Sequence, residues 1–316
     1  MHNDITDIPG IRVGHDTNLE AGTGCTVILC DMAAVGGVDV RGGAPATRET
    51  DLLRPMHLVN QVHAILLTGG SAFGLDAATG VMRYLEEHDK GYDVGVAKVP
   101  IVPAAAIFDL SFGSATIRPN ATSGYRACEG ASAEATAQGN VGAGTGATVG
   151  KLLGPAFAMK GGLGSASTTL VDGTLVAALV IVNAFGNILD PQTQHVIAGG
   201  RDVLPPAGPD AATLFGNTTI AVVATGASLS KEEVNKVAQM AHNGLAQTIR
   251  PAHTFFDGDT VFALSLGTAR PQTTDLATNA YAVSMIGAAA AKVLAQAIAN
   301  GVRRATDLHG IPATRL

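Results

Sequence analysis

The sequence predicts a layered α/β domain in which stacked β-sheets are covered by helices. Three observations predict it. The chain has 316 residues, 47% of them hydrophobic and only 15% charged, against roughly 25% charged in an average soluble domain. So few charges require a large buried core and point to further buried surface between subunits. Short β-branched apolar runs mix with amphipathic helical stripes, without a strict βαβ alternation and without a 20–50-residue repeat. The 39 glycines gather in clusters, as specialised loops do.

The elements follow in order. Ile11–His15 reads as a short strand and turn, and Cys25–Cys30 as a buried strand. Val38–Gly43 ends another strand in a glycine pair. Ala64–Leu67 is a buried strand that runs into the glycine turn 68–74. A helix follows with Leu75, Ala78, Met82 and Leu85 on one stripe. Val94–Val102 is extended, and Pro100 and Pro103 limit its pairing to an edge. Glu129–Ala137 has helical propensity. Gly139–Gly150 and Lys160–Gly164 are glycine-rich loops. Ser167–Val171 and Thr174–Val182 flank Asp172-Gly173 as a hairpin. Residues 194–214 read as an exposed linker. A β-branched run begins at Thr218. Ser230 and Glu233 form a capping box, opening a helix whose buried stripe is Val234, Val237, Ala238, Ala241 and Leu245. Thr260–Leu266 is a strand, and Leu276–Ala299 a long helix with small residues at Ala288–Ala291.

Several function classes are disfavoured. A net charge of −6, no tryptophan and 4% aromatics argue against nucleic acid. No apolar stretch of about 18 residues runs unbroken, so no membrane span is expected, and the polar, acidic start Met1–Asp7 does not resemble a signal peptide. Cys25, Cys30 and Cys128 read as buried free thiols of a reducing cytosol. The histidines show no metal spacing, and no Gly-x-Ser-x-Gly motif occurs. Gly142–Gly146 loosely evokes a phosphate loop, but the strand and helix context and the downstream acid are missing. No cofactor and no metal are expected.

The segment Gly216–Thr225 carries the chemistry. A polar, turn-prone stretch ends at Asn217, and an apolar strand begins at once with two hydroxyls. Cutting the Asn217–Thr218 bond would give Thr218 a free α-amine beside its own hydroxyl, placing nucleophile and base on one residue. Hydroxyl attack on the Asn217 carbonyl is a route to that cut, and Gly216 permits unusual dihedrals there. The new amine would titrate near ~7.7–8.0, as in model peptides, suited to a general base at neutral pH. By itself this pattern is weak evidence and more often marks a plain loop leading into a strand.

Blocks spread along the whole chain narrow the choice: 5–15, 67–75, 102–110, 142–151, 160–164, 216–219 and 256–260. In this order they resemble the self-processing family of D-/L-aminopeptidases, β-peptidyl aminopeptidases and 6-aminohexanoate (nylon) oligomer hydrolases. The resemblance implies an αββα sandwich similar to N-terminal-nucleophile hydrolases but with different connectivity. It implies one domain, 1–316, self-cleaved into 1–217 and 218–316, with Thr218 as nucleophile and Thr219 as the adjacent alternative. Asp257 and Asp259, spaced to share one face of an extended segment, would contact the nucleophile; otherwise they form a solvated turn. Asn183, at a strand end, would donate to the oxyanion. Lys151 would sit near Thr218 and tune its hydroxyl or hold the acids, or else lie on the surface. Phe108 stands where many relatives have Tyr, removing one hydrogen-bond donor; Tyr125 is near in sequence, but no spacing argument puts it in the site.

The implied protein is a cytosolic, tetrameric amidohydrolase acting on small peptides or oligoamides through an acyl-Thr intermediate. Two alternatives stay open: a self-cleaving acyltransferase of the ornithine acetyltransferase type, and a non-catalytic relative that binds a small molecule.

Overall fold

The apolar runs become strands of a single hydrogen-bonded path that folds over on itself. A computed structural model of the chain describes residues 1–200, 216–267 and 275–315. The path contains β1 (Ile11–Asn18), β2 (Thr23–Val40), β3 (Thr47–Arg48), β4 (Gln61–Thr68), β5 (Ala104–Ala106), β6 (Gly162–Thr169), β7 (Leu175–Asn183), β8 (Thr218–Thr225) and β9 (Thr260–Ser265). Four α-helices are described: α1 (Ala77–Glu87), α2 (Ala121–Glu129), α3 (Lys231–Thr248) and α4 (Leu276–Arg304). The strand order is β6-β7-β8-β9-β2-β4-β5-β3, with β1 on the free side of β2. The β8–β9 and β4–β5 pairs are parallel, and the other pairs antiparallel.

The 18-residue strand β2 joins two leaves. Its first half pairs with β1 and β4, the register shifts between Leu29 and Ala34, and residues 35–40 pair with β9. Three core clusters then define four layers. Ile28, Ile65 and Leu67 of one leaf meet Leu179, Ile220, Val222 and Phe262 of the other. The outer face of the second leaf, with Val180, Ala221 and Val223, packs on Val234, Ala238, Ala241 and Leu245 of α3 and on Leu294 and Ile298 of α4. The outer face of the first leaf, with Val27, Leu29 and Leu66, packs on Val81 and Leu85 of α1 and Ala127 of α2. The alternation of Ile220 and Val222 with Ala221 and Val223 is the period-2 pattern of a strand buried on both faces. The result is the helix–sheet–sheet–helix layering expected from the sequence.

Local chemistry sets the helix ends. The Ser230 side chain accepts from Glu233 N, and Glu233 Oε2 accepts from Ser230 N at 2.7 Å, closing the capping box of α3. Asn120 caps α2. Gly244 lets α3 and α4 approach, because a Cβ there would lie 2.4 Å from the Ala291 carbonyl oxygen. By length and composition α4 could cross a membrane, contrary to the expectation that no such stretch exists. It is a core helix instead, with 67% of its apolar window buried inside the fold.

Other expectations are corrected. The helix placed at Glu129–Ala137 lies earlier: α2 ends at Glu129 because Gly130 caps it. Ser132 then bridges to Val13, and Thr136 N donates to Asp4 Oδ2 at 2.7 Å. Lys160–Gly164 is not a loop, since Gly162 opens β6; a Cβ at Gly164 would lie 2.0 Å from the Ala297 carbonyl oxygen, so glycine lets α4 sit on this strand. Val38–Val40 is the end of β2 rather than a separate strand. Helix α1 follows a 3₁₀ turn, and its buried stripe is Ala77, Ala78, Val81 and Leu85, with Met82 half-buried. Tyr92–Asp93 and Lys98–Val99 form a small separate pair, and the main sheet resumes only after Pro103. Within the segment read as a linker, Val196–Ala198 pairs with Asn187–Leu189; residues 201–214 of it lie outside the described residues. The three cysteines are buried and free, and burial pushes the Cys30 and Cys128 thiols up to about 12.

Candidate active site

The topology gathers three strand ends. Asn183 is the last residue of β7 and Thr218 the first of β8, and they are register partners across that antiparallel pair. Strand β9 runs parallel to β8, so its approach, Asp257-Gly258-Asp259, lies beside the approach to β8. Asn217 and Asp257 form a parallel bridge there. Lys151 comes from a 3₁₀ turn that follows the glycine-rich segment, after Gly150 at φ +71°.

Thr218 is 4% exposed, and its hydroxyl donates to the carbonyl oxygen of Asn217, the residue before it. The same oxygen accepts from Gly258 N at 3.0 Å. One residue upstream, the Gly216 carbonyl oxygen accepts from Lys151 Nζ at 2.9 Å and from Asn183 Nδ2 at 3.1 Å. Asn183 is fully buried. Its Oδ1 accepts from Thr148 N at 3.0 Å and Lys151 Nζ at 3.1 Å, and its Nδ2 also donates to the Phe108 carbonyl at 3.2 Å. These partners fix the orientation of the amide.

The two acids are buried, each at 2% exposure. Asp257 Oδ2 accepts from Thr254 N at 2.8 Å and Thr254 Oγ1 at 2.6 Å. Asp259 Oδ1 accepts from Thr219 N at 2.7 Å, and its Oδ2 accepts from His253 N at 3.0 Å and lies 2.8 Å from His253 Nδ1. Among the described hydrogen bonds, neither acid reaches the Thr218 hydroxyl: Asp259 takes the amide just after it, and Asp257 takes the Thr254 turn. Burial, then the charge of Asp259, pushes the Asp257 carboxyl up to about 6. Burial brings the Lys151 ammonium down to about 7, against the pull of Asp257. Both groups therefore change protonation near neutral pH, as groups at functional sites often do.

Gly216 has φ +116°, and a Cβ on it would lie 2.9 Å from Phe108 Cδ1. The half-buried Phe108 borders a cavity of about 250 Å³ lined also by Asp109, Phe112, Lys151, Gly216 and Ile311. Tyr125 is elsewhere: it lies on α2, and its hydroxyl donates to Glu87 Oε2 at 2.6 Å.

The structure thus brings Thr218, Asn183, Lys151, Asp257 and Asp259 together. Sequence reasoning missed other buried charges of this region, where Lys160 feels the charges of Asp109 and Lys151. Lys160 is fully buried, donating to the Thr145 and Ala147 carbonyls at 2.8 and 2.7 Å. Asp109 accepts from Thr23 Oγ1 and Gly70 N, each at 2.7 Å. A lysine inside a glycine-rich apolar run was the one available signal for the first. His253 and Thr254 carried none beyond their nearness to the Asp pair.

Comparison with known proteins places these observations. Residues 3–315 match the model of peptidase family S58. The chain is 47% identical over 343 aligned positions to an uncharacterized aminopeptidase of Mycobacterium tuberculosis (strain ATCC 25618 / H37Rv), covering 99% of this chain and 97% of the relative. It is 34% identical over 278 positions to a 6-aminohexanoate-oligomer endohydrolase of Kocuria sp. (strain KY2), covering 82% of this chain and 74% of the relative. Among solved structures, the L-aminopeptidase D-Ala-esterase/amidase of Ochrobactrum anthropi, described as a variant of the Ntn-hydrolase fold, superposes with TM-score 0.76 at 20% identity, over 100% of this chain and 90% of that one. A Burkholderia sp. β-aminopeptidase gives TM-score 0.71 at 24% identity, over 99% and 90%. At these identities the two structures show a shared fold.

Proposed function

The chain belongs to peptidase family S58, a hydrolase of peptide or amide bonds, and on that premise we propose that it activates itself by cutting the Asn217–Thr218 bond and then works through an N-terminal threonine. One observation carries the reading: the buried Thr218 hydroxyl is hydrogen-bonded to the carbonyl group it would attack.

In the uncut chain the Gly216 carbonyl occupies Lys151 Nζ and Asn183 Nδ2. The precursor is therefore self-blocked. Release of the 217 end frees these donors, and a substrate acyl oxygen takes the place of the Gly216 oxygen. Thr218 Oγ1 attacks the substrate carbonyl while its new α-amine accepts the hydroxyl proton. Asn183 Nδ2 steadies the developing oxyanion. The leaving amine takes the proton, and water releases the acid from the acyl-Thr ester. Lys151, near its midpoint at neutral pH, moves charge beside this centre, while Asp259 holds the Thr219 amide and Asp257 holds the Thr254 turn.

The substrate proposed is a small peptide or oligoamide, since the relatives above are named an uncharacterized aminopeptidase and a 6-aminohexanoate-oligomer endohydrolase. The processed units, 1–217 with 218–316, assemble into the homotetramer that the family resemblance implies, with which the low charge content is compatible. The test is intact mass under denaturing conditions for the wild type and Thr218→Ala, followed by a screen of α-, β- and ω-amino-acid amides and esters. Two fragments joining at 217/218 with turnover support the reading; a continuous but active chain overturns it.

A further inference from the structure

We propose that the main-chain N–H of Gly258 is the oxyanion donor for the self-cleavage step, distinct from the side-chain donors that serve substrate hydrolysis. The proposal rests on the self-processing reading above and assigns its first step a catalytic group.

The reacting oxygen in self-cleavage is that of Asn217. Asn183 Nδ2 and Lys151 Nζ are committed one residue upstream, on the Gly216 oxygen. Gly258 N lies 3.0 Å from the Asn217 oxygen, within the 2.7–3.1 Å range of an effective oxyanion donor. It keeps that contact when Thr218 Oγ1 turns from the oxygen to the carbon.

The amide is also locked in place. On one side, Asp257 takes Thr254 N and Oγ1 on its carboxylate and Ala44 N on its carbonyl at 2.8 Å. On the other, Asp259 takes Thr219 N and His253 N on its carboxylate and Arg41 N on its carbonyl at 2.9 Å. The donor between them needs no reorganisation during reaction. The residue must be glycine, because a Cβ at position 258 would lie 2.8 Å from Thr218 Oγ1 and 3.0 Å from the Ala44 carbonyl oxygen. The Asp-Gly-Asp pattern thus has a reading beyond paired acid–base groups: two carboxylates clamp the peptide unit that faces the scissile bond.

The step balances. Thr218 Oγ1 bonds to the Asn217 carbon and releases its proton, and the C=O π pair moves to the oxygen facing Gly258 N–H. On collapse the C=O re-forms, the Asn217–Thr218 C–N bond breaks, and the nitrogen takes up one proton in place of the one released. The ester left on Oγ1 is opened by water, giving the Asn217 carboxylate and the free Thr218 hydroxyl and amine.

The test deletes the donor alone. Cell-free translation of the full chain with glycolic acid in place of Gly258 replaces N–H by O and adds no Cβ. Self-cleavage, followed by denaturing mass spectrometry, is expected to slow about 10²–10³-fold. A control with lactic acid in place of Ala131 removes a main-chain bond to the Cys128 carbonyl, away from the site, and is expected to cleave within about threefold of wild type. Cleavage of the glycolate chain at the wild-type rate overturns the proposal and leaves self-processing standing; a wild-type chain that never cuts overturns both. Should the glycolate chain fail to fold, the through-hydrogen-bond coupling between ¹⁵N of Gly258 and ¹³C of the Asn217 carbonyl decides in the uncut Thr218→Ala chain: its presence supports the proposal and its absence overturns it.

Discussion

Asn183 and Thr218 stand opposite one another as register partners at the open ends of β7 and β8. An antiparallel pair fixes that relationship through backbone hydrogen bonds along eight residue pairs, so the amide and the hydroxyl share one rigid platform. A site on strand ends holds its geometry better than one built on loops.

Asn183→Ala removes the proposed donor for substrate hydrolysis. With chains processed to the same extent, kcat falls about 10²–10³-fold with a much smaller change in KM. The variant also leaves Lys151 Nζ and Thr148 N without their Oδ1 acceptor, so thermal unfolding is measured alongside. A KM effect with kcat preserved contradicts the oxyanion role.

Gly216→Ala tests the bend before the scissile bond. The new Cβ meets Phe108, and φ +116° is strained for any residue with a side chain. In the uncut Thr218→Ala background it costs about 1–3 kcal/mol, read from denaturant unfolding. In the chain with Thr218 it slows self-cleavage by displacing the Gly216 carbonyl from its donors. Adding Phe108→Ala relieves the clash but not the backbone strain, so rescue is partial.

Asp257 gives a pH-dependent signature. Its folded carboxyl titrates at about 6, above the usual 3.8. Below about pH 3 it is protonated in both states. Between about 4 and 6 only the unfolded chain ionises there, so the wild type loses stability as pH rises through this window and levels off above it. Asp257→Asn lacks this loss. In the Thr218→Ala background, its stability relative to Asp257 rises from pH 4 to 6, on the order of 2 kcal/mol, then stays flat. A difference that does not change over this window contradicts the raised carboxyl.

Much of this site was legible because its parts sit at punctuation points of the chain. Thr218 opens an apolar run, Asn183 closes one, and Lys151 ends a glycine-rich segment, so chemistry and element boundaries coincide. The layering was legible for a similar reason: both faces of β8 are apolar, which fits a strand between two packed layers. The unread parts depend on distant contacts. Nothing local shows that β2 continues through Gly36-Gly37 and joins two leaves. The alanine-rich stretch after Glu129 has helical propensity, yet capping at Gly130 and contacts to Val13 and Asp4 override it. His253 braces Asp259 only because the turn before β9 folds back, which sequence spacing does not reveal.

The most direct measurement is denaturing intact mass on freshly purified, catalytically active protein, with Thr218→Ala and Thr218→Ser in parallel. The mechanism predicts fragments 1–217 and 218–316 for the wild type, one uncut and inactive chain for Thr218→Ala, and a cut chain for Thr218→Ser, because serine keeps the attacking hydroxyl. Full activity from a polypeptide still continuous across Asn217–Thr218 would contradict it.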